Sequence, residues 1–347
     1  MTSLIDAPVS VRATVDDYLG PGDRRFFGKG YKRADQNLRS IRIETTGDGK
    51  GHVTARAAVS YPDDWSRKGK TNQPPHLSSI DVLLVAGELA EMYLTHALSL
   101  DSEQRSSMRL RRVVIKAGRS PVEEELVDFG VSAVITPQDA SSLPEGTAVS
   151  LADCQVGALR VHCEIEHPQG APEPAPGAYA SPAELLGPSR LRPYAHGHKA
   201  KSQIIEDLEL ETTGLCAHAV LATRCDIPEF PAVGLESYSH KGASLIDAFV
   251  AAIQLGQILL YELDSVKRSE SNTLWMRQTV LEINEPRVAV LTPSRISTRL
   301  EELQLLTTRE GEVWRSCDMV SEFQNIDIRC SVAHRLPRAR GEGTEHA

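Results

Sequence analysis

Two aspartates are the residues best placed to do acid–base chemistry in this sequence. Asp81 and Asp247 each stand near the start of a long apolar stretch, and a second polar residue follows seven positions later, Glu88 in one case and Gln254 in the other. Seven residues is nearly two helical turns, so each pair lies on one stripe of its helix. A polar stripe on an apolar helix is costly to bury unless it faces a partner or a cavity. We therefore expect the stripes to line cavities, where a carboxylate could act as a general base.

Aspartate in the first turn of a helix often has a simpler role, which is to cap the helix N-terminus. Histidines also stand shortly before both helices, His76 before Asp81 and His240 before Asp247. A histidine can transfer protons near neutral pH, although a lone loop histidine usually does not. The backbone amides of residues 242–245, beginning with Gly242, could donate hydrogen bonds to a developing oxyanion, because a helix N-terminus carries unpaired N–H groups. Capping and catalysis both stay open.

The two apolar stretches, residues 78–97 and 244–263, predict long helices that are buried on nearly every side. They align with each other at a nearly constant offset of about 166 residues, a periodicity that indicates a tandem duplication. The identical pairs in the helices are Ser78/Ser244, Ile80/Ile246, Asp81/Asp247, Ala86/Ala252, Leu89/Leu255 and Leu94/Leu260. The match extends to Leu19-Gly20-Pro21 with Leu186-Gly187-Pro188 before the helices, and to Cys163 and His167 with Cys330 and His334 after them.

The duplication predicts two units, at residues 14–167 and 183–334. Residues 168–182 are rich in Pro, Ala and Gly and are expected to form an extended linker without regular structure. Residues 1–13 are an N-terminal tail, and residues 335–347 are predicted to be a disordered tail.

Each unit is predicted to have an extended stretch, then the long helix, then several strands. The expected extended segments are 40–61, 108–116, 125–136 and 148–166 in the first unit, and 207–225, 274–283, 288–291, 295–307, 313–324 and 326–333 in the second. An antiparallel sheet around one apolar helix is the arrangement called a hot dog. The predicted fold is therefore α+β, a tandem (double) hot dog with two antiparallel sheets, each wrapped around a long central helix.

Composition excludes several classes of protein. Of the 347 residues, 41% are hydrophobic and 24% are charged, which is typical of a globular domain. The formal net charge of −9 argues against general nucleic-acid binding. Polar residues inside the second helix argue against a membrane span. The first twenty residues do not resemble a signal peptide, and the six cysteines form no CxxC pair, so we expect a cytoplasmic protein with reduced cysteines.

Residues 18–33, YLGPGDRRFFGKGYKR, resemble the N-terminal signature of the avirulence D (AvrD) family. The helices are similar to those of A-factor biosynthesis (AfsA-like) hot-dog enzymes, in which an aspartate is followed ten residues later by glutamine. Asp247 and Gln257 fit that pattern, whereas the first helix has Glu91 at the matching position. The start of the second helix, SLIDA, is also similar to polyketide-synthase dehydratase hot dogs, in which the equivalent aspartate is catalytic.

These resemblances imply an enzyme that handles an acyl thioester, carried by coenzyme A or by an acyl carrier protein. Resemblance to the avirulence D family implies joining a β-ketoacyl chain to a small ketose such as xylulose, giving a lipid-like signal of the syringolide type. Resemblance to the AfsA-like enzymes implies a triose phosphate acceptor and a butyrolactone-type product. We expect no metal and no organic cofactor. Whether the protein forms a homodimer is left open by the sequence.

The resemblances also assign roles to residues. In dehydratase-like hot dogs a histidine of one half meets an acid of the other, which implies the pairs His76 with Asp247 and His240 with Asp81. The predicted substrate-binding residues are Glu88, Gln254, Gln257, Arg111, Arg277 and Gly242. The two arginines occupy matching positions, and the basic run 108–119 around Arg111 suits phosphate groups, although it could also be a solvated strand face.

Three functions stay open: a condensing acyltransferase, a hot-dog dehydratase or thioesterase, and a non-catalytic acyl-binding module. We expect the second half to hold the main chemistry, because its stripe pairs Asp247 with a neutral Gln254. The first stripe carries two carboxylates, which would repel each other.

Overall fold

The computed structural model describes residues 13–63, 67–68, 71–72, 75–118, 126–138, 143–170, 173, 175–211, 213–227, 230–268, 271, 274–285 and 288–337. Its helices are α1 (Val15–Leu19), α2 (Ser79–Ala97), α3 (Ser102–Ser106), α4 (Ala183–Leu186) and α5 (Leu245–Asp264). The two long helices, α2 and α5, coincide with the two predicted ones to within a residue. Most of the N-terminal tail and of the C-terminal tail, predicted at 1–13 and 335–347, lies outside the described residues.

The strands of the first half are β1 (Asp35–Thr45), β2 (Gly51–Ser60), β3 (Arg67–Lys68), β4 (Thr71–Asn72), β5 (Arg109–Lys116), β6 (Phe129–Gln138), β7 (Thr147–Val156) and β8 (Leu159–Pro168). The remaining strands are β9 (Gly177–Tyr179), β10 (Lys201–Glu211), β11 (Cys216–Cys225), β12 (Trp275–Ile283), β13 (Ser294–Thr307), β14 (Val313–Phe323) and β15 (Ile326–Arg335). The short strands β3 and β4 pair only with each other.

The other strands form one continuous antiparallel sheet of 13 strands in the described residues, in the order β10-β11-β13-β14-β15-β12-β5-β8-β7-β6-β2-β1-β9. This corrects the expectation of two separate sheets. The halves join because β5 and β12 pair with each other, with Val113 opposite Leu281. Pairing satisfies the backbone groups of two strands that would otherwise be exposed edges.

The strand order is the same on both sides of this junction. Counted outward, it is β5-β8-β7-β6-β2-β1 in the first half and β12-β15-β14-β13-β11-β10 in the second. Irregularities match as well, since Ser40 and Asp207 have positive φ angles of 53° and 51° within the β1 and β10 bulges. Arg111 and Arg277 lie at matching register shifts in β5 and β12. The unit boundaries 14–167 and 183–334 stay a prediction.

Each long helix packs on the strands of its own half. Helix α2 contacts β1, β2, β5, β6, β7 and β8, and α5 contacts β10, β11, β13, β14 and β15. Both helices begin with a capping box, in which the N-cap serine (Ser78 or Ser244) and the aspartate three residues later bond each other's backbone N–H. Helix α5 is long and apolar enough to cross a membrane, but 83% of its most apolar window is buried inside this protein.

Several segments differ from the prediction in where they begin or in their structure. β1 begins at Asp35 and β10 at Lys201, earlier than the predicted starts at 40 and 207, because their first residues are too polar to show a strand pattern. The predicted extended segment 148–166 is a hairpin, β7 and β8, that turns at Gly157 with a positive φ of 57°. Residues 288–291, predicted as a strand, are irregular.

The predicted linker is not wholly irregular, because β9 lies inside it. Gly177–Tyr179 pairs with residues 41–43 of β1, which is otherwise an edge strand. The segment Gly-Ala-Tyr is free of proline, so its backbone can donate to the ladder. Tyr179 is held further by a hydrogen bond of 2.8 Å between its hydroxyl and His96 Nδ1.

The segments before β1 and β10 pack on the opposite half. We name residues 13–34 the first arm and residues 180–200 the second arm. Helix α1 of the first arm contacts α5, and Phe27 packs edge-on against Phe249 with ring centres 6.2 Å apart. Helix α4 of the second arm contacts α2. Each half therefore covers the other half's helix with its arm.

Candidate functional site

Asp247 lies at the first turn of α5 and its side chain is only 2% exposed. Besides its capping bonds with Ser244, the carboxylate receives two hydrogen bonds from β10. Lys201 Nζ lies 2.5 Å from Oδ2, and Gln203 Nε2 lies 2.5 Å from Oδ1. Lys201 and Gln203 are two positions apart, so strand alternation places both side chains on the same face. The Asp247 carboxylate therefore caps α5 and also binds the polar side chains of Lys201 and Gln203.

The electrostatic balance at Asp247 favours the ionised form. Burial alone would raise the pKa of Asp247, but the charge and hydrogen bond of Lys201, with the bonds from Ser244 and Gln203, outweigh burial and lower the pKa below its usual 3.8. Lys201 is itself buried, and its Nζ also donates to the carbonyl oxygens of Ser239 at 3.1 Å and Gly242 at 2.7 Å. All three ammonium protons thus have acceptors, as a buried ion pair requires.

The equivalent centre in the first half is neutral apart from Asp81. Its carboxylate is 1% exposed and accepts hydrogen bonds from Gln36 Nε2 at 2.6 Å and from the hydroxyls of Tyr61 and Ser78. Burial, followed by the charge of Asp81, raises the pKa of Tyr61 well above its usual value, so this phenol stays protonated. Within the described residues, no cation bonds to Asp81.

Comparison of matched positions shows what has changed between the two centres. Gln36 and Gln203 are equivalent in the repeat, and so are Ser78 and Ser244. The position of Lys201, however, is Ala34 in the first half, and the position of Tyr61 is Ile227 in the second. The two centres thus share an aspartate, a glutamine and a serine, and differ in that Lys201 bonds the second aspartate whereas Tyr61 bonds the first.

The first arm completes the centre around Asp247. Tyr31, which is 1% exposed, donates its hydroxyl to Gln203 Oε1 at 2.9 Å, and Lys32 Nζ donates to the carbonyl oxygen of Lys201. Burial, and secondly the charge of Asp247, raises the pKa of Tyr31 well above its usual value. Residues from both halves of the chain therefore surround this carboxylate.

The second members of the polar stripes are also buried, and each is bound by the arm of the other half. Arg25 Nη1 lies 2.5 Å from Gln254 Oε1, and Arg192 Nη1 lies 2.5 Å from Glu88 Oε1. Arg25 and Arg192 occupy matched positions in the repeat, and both are buried. Burial raises the pKa of Glu88, although Arg192 opposes that effect. The stripes thus face protein partners in this structure.

Two further buried carboxylates lie near α2. Burial raises the pKa of Glu91 to about 7 against the opposing charges of Arg192 and Arg105, the latter with Nη1 3.5 Å from Glu91 Oε1. Burial likewise raises the pKa of Glu236 to about 7. Glu236 accepts from the Tyr194 hydroxyl at 3.2 Å and the Tyr238 hydroxyl at 3.3 Å. Gln257, the match of Glu91 in α5, is half-buried.

The two predicted histidines lie near the aspartate of their own half. The carbonyl oxygen of His76 accepts from the Tyr61 hydroxyl, which also bonds Asp81. His240 packs against Phe230 with ring centres 4.8 Å apart, and burial followed by the charges of Lys201 and Lys241 lowers its pKa. In the described part of the chain the hydrogen bonds of Asp81 and Asp247 come from other groups, so neither cross-half pair is formed.

The remaining predicted residues have mixed surroundings. Gly242 contributes its carbonyl oxygen to Lys201, while its N–H is taken by the Ser239 carbonyl at 3.1 Å. Arg111 Nε lies 2.9 Å from Glu164 and its Nη1 lies 3.1 Å from Glu166, whereas Arg277 is exposed. The matched arginines are therefore not in equivalent environments.

Sequence reasoning missed the partners of the stripes, namely Lys201, Gln203, Gln36, Tyr61, Tyr31, Lys32, Arg25 and Arg192. The signal that could have found Lys201 is its departure from the repeat, because an alanine at the matched position marks a charge added to one half. The arginines could have been noticed as a matched pair in the arms.

A family model described as Pseudomonas avirulence D protein (AvrD) matches residues 10–337. No curated protein matches the chain. Solved structures with a similar arrangement include an acyl-CoA thioesterase II from Mycobacterium marinum, which is 8% identical, with 86% of this chain and 96% of that chain covered and a TM-score of 0.35. A trans-AT PKS dehydratase domain from Brevibacillus brevis is 11% identical, with 84% and 95% covered and a TM-score of 0.35.

A conserved protein of unknown function with hot dog fold from Alicyclobacillus acidocaldarius is 10% identical, with 86% and 96% covered and a TM-score of 0.36. These structural likenesses are too low to carry a conclusion about the site. The family model, by contrast, spans nearly the whole chain and includes the arm segment 18–33 that carried the resemblance. The chain belongs to the avirulence D protein family.

Proposed function

We propose that this protein is an enzyme that joins a β-ketoacyl group from a thioester to a small ketose such as xylulose, with its reacting centre at Asp247 and Lys201. Membership of the avirulence D family supports this pair of substrates, since that resemblance implies formation of a lipid-like signal of the syringolide type. The proposal includes two hot-dog units in one chain, which the matching strand order on both sides of the β5–β12 junction supports.

One observation carries the assignment of the centre: among the described residues, the buried Lys201–Asp247 ion pair is found at one of the two matched aspartates, while the other is bonded by neutral donors. A buried ion pair is seldom a net source of stability, because desolvation of both charges offsets their attraction. The first half shows that the same capped helix can be built with neutral donors. The added charge is therefore better explained by chemistry than by packing, and perturbed acids of this kind cluster at functional sites.

The reaction assigns a role to each partner. The acceptor hydroxyl oxygen attacks the thioester carbonyl carbon, a C–O bond forms, the C–S bond breaks, and the hydroxyl proton passes to Asp247 and then to the departing thiolate. Its lowered pKa keeps Asp247 ionised at neutral pH, and the Lys201 ammonium offers positive charge to the developing oxyanion. Oδ2 of Asp247 accepts from Lys201 and from the N–H and hydroxyl of Ser244, whereas Oδ1 accepts from Gln203, so Oδ1 is the oxygen with a lone pair for the substrate hydroxyl.

The test is product analysis by mass spectrometry, with purified protein given a β-ketoacyl thioester in the presence and absence of xylulose. We expect a condensed product only with xylulose. Asp247→Asn should lower its formation by about two orders of magnitude or more, a usual size for general-base catalysis. Asp81→Asn is the matched control and should have a much smaller effect.

Other outcomes assign the other functions. Formation of free acid at the same rate with and without xylulose indicates a thioesterase. Formation of a dehydrated thioester indicates a hydro-lyase. Binding of the thioester without turnover indicates an acyl-binding module. Near-normal activity of both aspartate variants would mean that Asp247 and Asp81 cap their helices and take no part in catalysis.

A further inference from the structure

A surface cleft beside the Asp247 centre is lined by a concentration of basic residues. The cleft has a volume of about 1120 Å³. Its cationic lining residues are Arg24, Lys29, Lys32, Arg33, Lys199 and Arg268, against the two carboxylates of Asp23 and Asp226. This local excess of positive charge contrasts with the formal net charge of −9 for the whole chain.

The charge is not inherited from the repeat. The matched positions of Arg24, Lys29, Arg33 and Arg268 in the other half are Leu191, His196, Ala200 and Ser102. Only Lys32 has a lysine as its match, and that match is Lys199, which lines the same cleft. The other half thus has no lysine or arginine at these four matched positions, and the basic cleft lies on the side that holds the Lys201–Asp247 pair.

The basic groups are placed close enough to repel one another. Burial lowers the pKa of Lys32, the charges of Asp247 and Asp226 oppose that effect, and the charges of Lys29 and Lys201 lower the pKa by smaller amounts. Arg24 and Lys29 are exposed, and no carboxylate in the described part of the chain forms an ion pair with either. A multivalent anion in the cleft would relieve this repulsion.

The cleft borders both the reacting centre and a second groove, whose lining combines apolar residues with Glu262, Lys267 and Arg268. Its wall includes Ser202, the residue after Lys201, and Lys32, whose Nζ bonds the Lys201 carbonyl. A neighbouring groove of about 400 Å³ shares Leu19, Gly20 and Arg268 with the cleft. It adds apolar surface from Ile258, Tyr261 and Val266. A ligand with an anionic head in the basic cleft and an apolar portion in the neighbouring groove fits this arrangement.

We propose that this cleft binds the phosphate group of a substrate, an inference that rests on the proposed function and names the substrate class at the same site. Arginine and lysine form charge-assisted hydrogen bonds to phosphate oxygens, and arginine can do so with two parallel bonds. The phosphate can be that of coenzyme A in the acyl donor or that of a phosphorylated ketose. Both present the same chemistry to the cleft.

The test is isothermal titration calorimetry of the full chain with coenzyme A, xylulose 5-phosphate and unphosphorylated xylulose as separate probes. We expect at least one phosphate-bearing probe to bind, with an affinity that falls as salt is raised. Arg24→Ser combined with Lys29→Ser should weaken that binding by about tenfold or more, the effect of losing charge-assisted bonds. Lys50→Ser combined with Arg160→Ser removes the same charge from exposed positions outside the cleft and should change binding by less than about twofold.

Binding of coenzyme A alone assigns the phosphate to the donor, and binding of xylulose 5-phosphate alone assigns it to the acceptor. Equal binding by xylulose and its phosphate, unchanged binding by the cleft variant, or binding of neither phosphate-bearing probe overturns the proposal. A protein that binds phosphate through the cleft but forms no condensed product retains the phosphate site and loses the proposed function. Thermal unfolding of both variants shows whether each is folded.

Discussion

Arg25 donates to the side chain of Gln254, although the two residues belong to opposite halves of the chain. The matched arginine of the second arm, Arg192, makes the reciprocal contact with Glu88 on α2. The two contacts differ in charge, because Gln254 is neutral and Glu88 is a buried carboxylate. We therefore expect substitutions of Arg25 and Arg192 to change the stability of the protein by different amounts.

We expect Arg192→Met to destabilise the protein more than Arg25→Met. Removal of Arg192 leaves Glu88 buried without its cation, which costs about 3–5 kcal/mol. Removal of Arg25 leaves the Gln254 side-chain oxygen without its donor, which costs about 1–3 kcal/mol, and breaks an ion pair with the exposed Asp16, which is worth at most about 1 kcal/mol. Urea unfolding of the two variants measures the difference. The double variant Arg192→Met with Glu88→Met should recover most of the loss, and a double variant no more stable than Arg192→Met would contradict this account.

Lys201→Met should destabilise the protein by about 3–5 kcal/mol at pH 7, because Asp247 loses its counter-charge inside the protein. In the wild type the folded pKa of Asp247 is lowered, so its contribution is present above the unfolded value of 3.8 and is lost as pH falls through the folded value. Without Lys201, burial would raise that pKa, so the variant should lose more stability at pH 7 than at pH 4. Addition of Asp247→Asn should restore stability without restoring product formation.

Glu236→Gln should stabilise the protein at pH 8 and have little effect at pH 4. Burial raises the pKa of Glu236 from 4.5 to about 7, so the folded state retains a proton that the unfolded state loses between these values. Wild-type stability should therefore fall as pH rises through that window, by about 3 kcal/mol from this group. Thermal unfolding from pH 4 to pH 8 provides the measurement. An identical pH dependence in the variant would show that Glu236 is ionised in the folded protein.

Gly87→Ala on α2 should be more destabilising than Gly256→Ala on α5. A Cβ at Gly87 would lie 2.5 Å from the Tyr194 ring of the second arm, and one at Gly256 would lie 2.4 Å from the Met319 sulfur. The aromatic ring is rigid, whereas methionine has flexible torsions that can move aside. Both substitutions gain about 1 kcal/mol of helix propensity, so the difference isolates the packing cost. Chemical denaturation of the pair gives that difference, and equal costs would argue against a tightly packed second arm.

The parts of the fold that could be predicted from the sequence are those specified by local pattern. Residues 78–97 and 244–263 are apolar on every face, and each begins with a serine three residues before an aspartate, which is a capping-box signal. The repeat also indicated the same order of elements in the two halves, as the strand order on both sides of the β5–β12 junction shows. The burial of Asp81 and Asp247 also follows from these local features, because each aspartate stands inside an apolar helix.

Long-range partners could not be predicted in the same way. Lys201 is a polar residue at the start of β10, where the sequence does not alternate between apolar and polar residues. Nothing in its local sequence indicates that it contacts Asp247. The exchange of arms was equally hidden, because Arg25 and Gln254 are far apart in sequence and an isolated buried arginine is rare. The single sheet was missed because the pairing of β5 with β12 depends on how the two units meet.

The exchanged arms also constrain how the two halves can change over time. An arm that has to fit a helix encoded elsewhere in the chain resembles a domain-swapped dimer whose two subunits have become covalently fused. A substitution in residues 13–34 can therefore remove contacts to residues of the other half, namely Gln203, Gln254 and Phe249. A change at the Asp247 centre therefore has to fit groups from both copies, since β10 supplies Lys201 and the first arm supplies Tyr31.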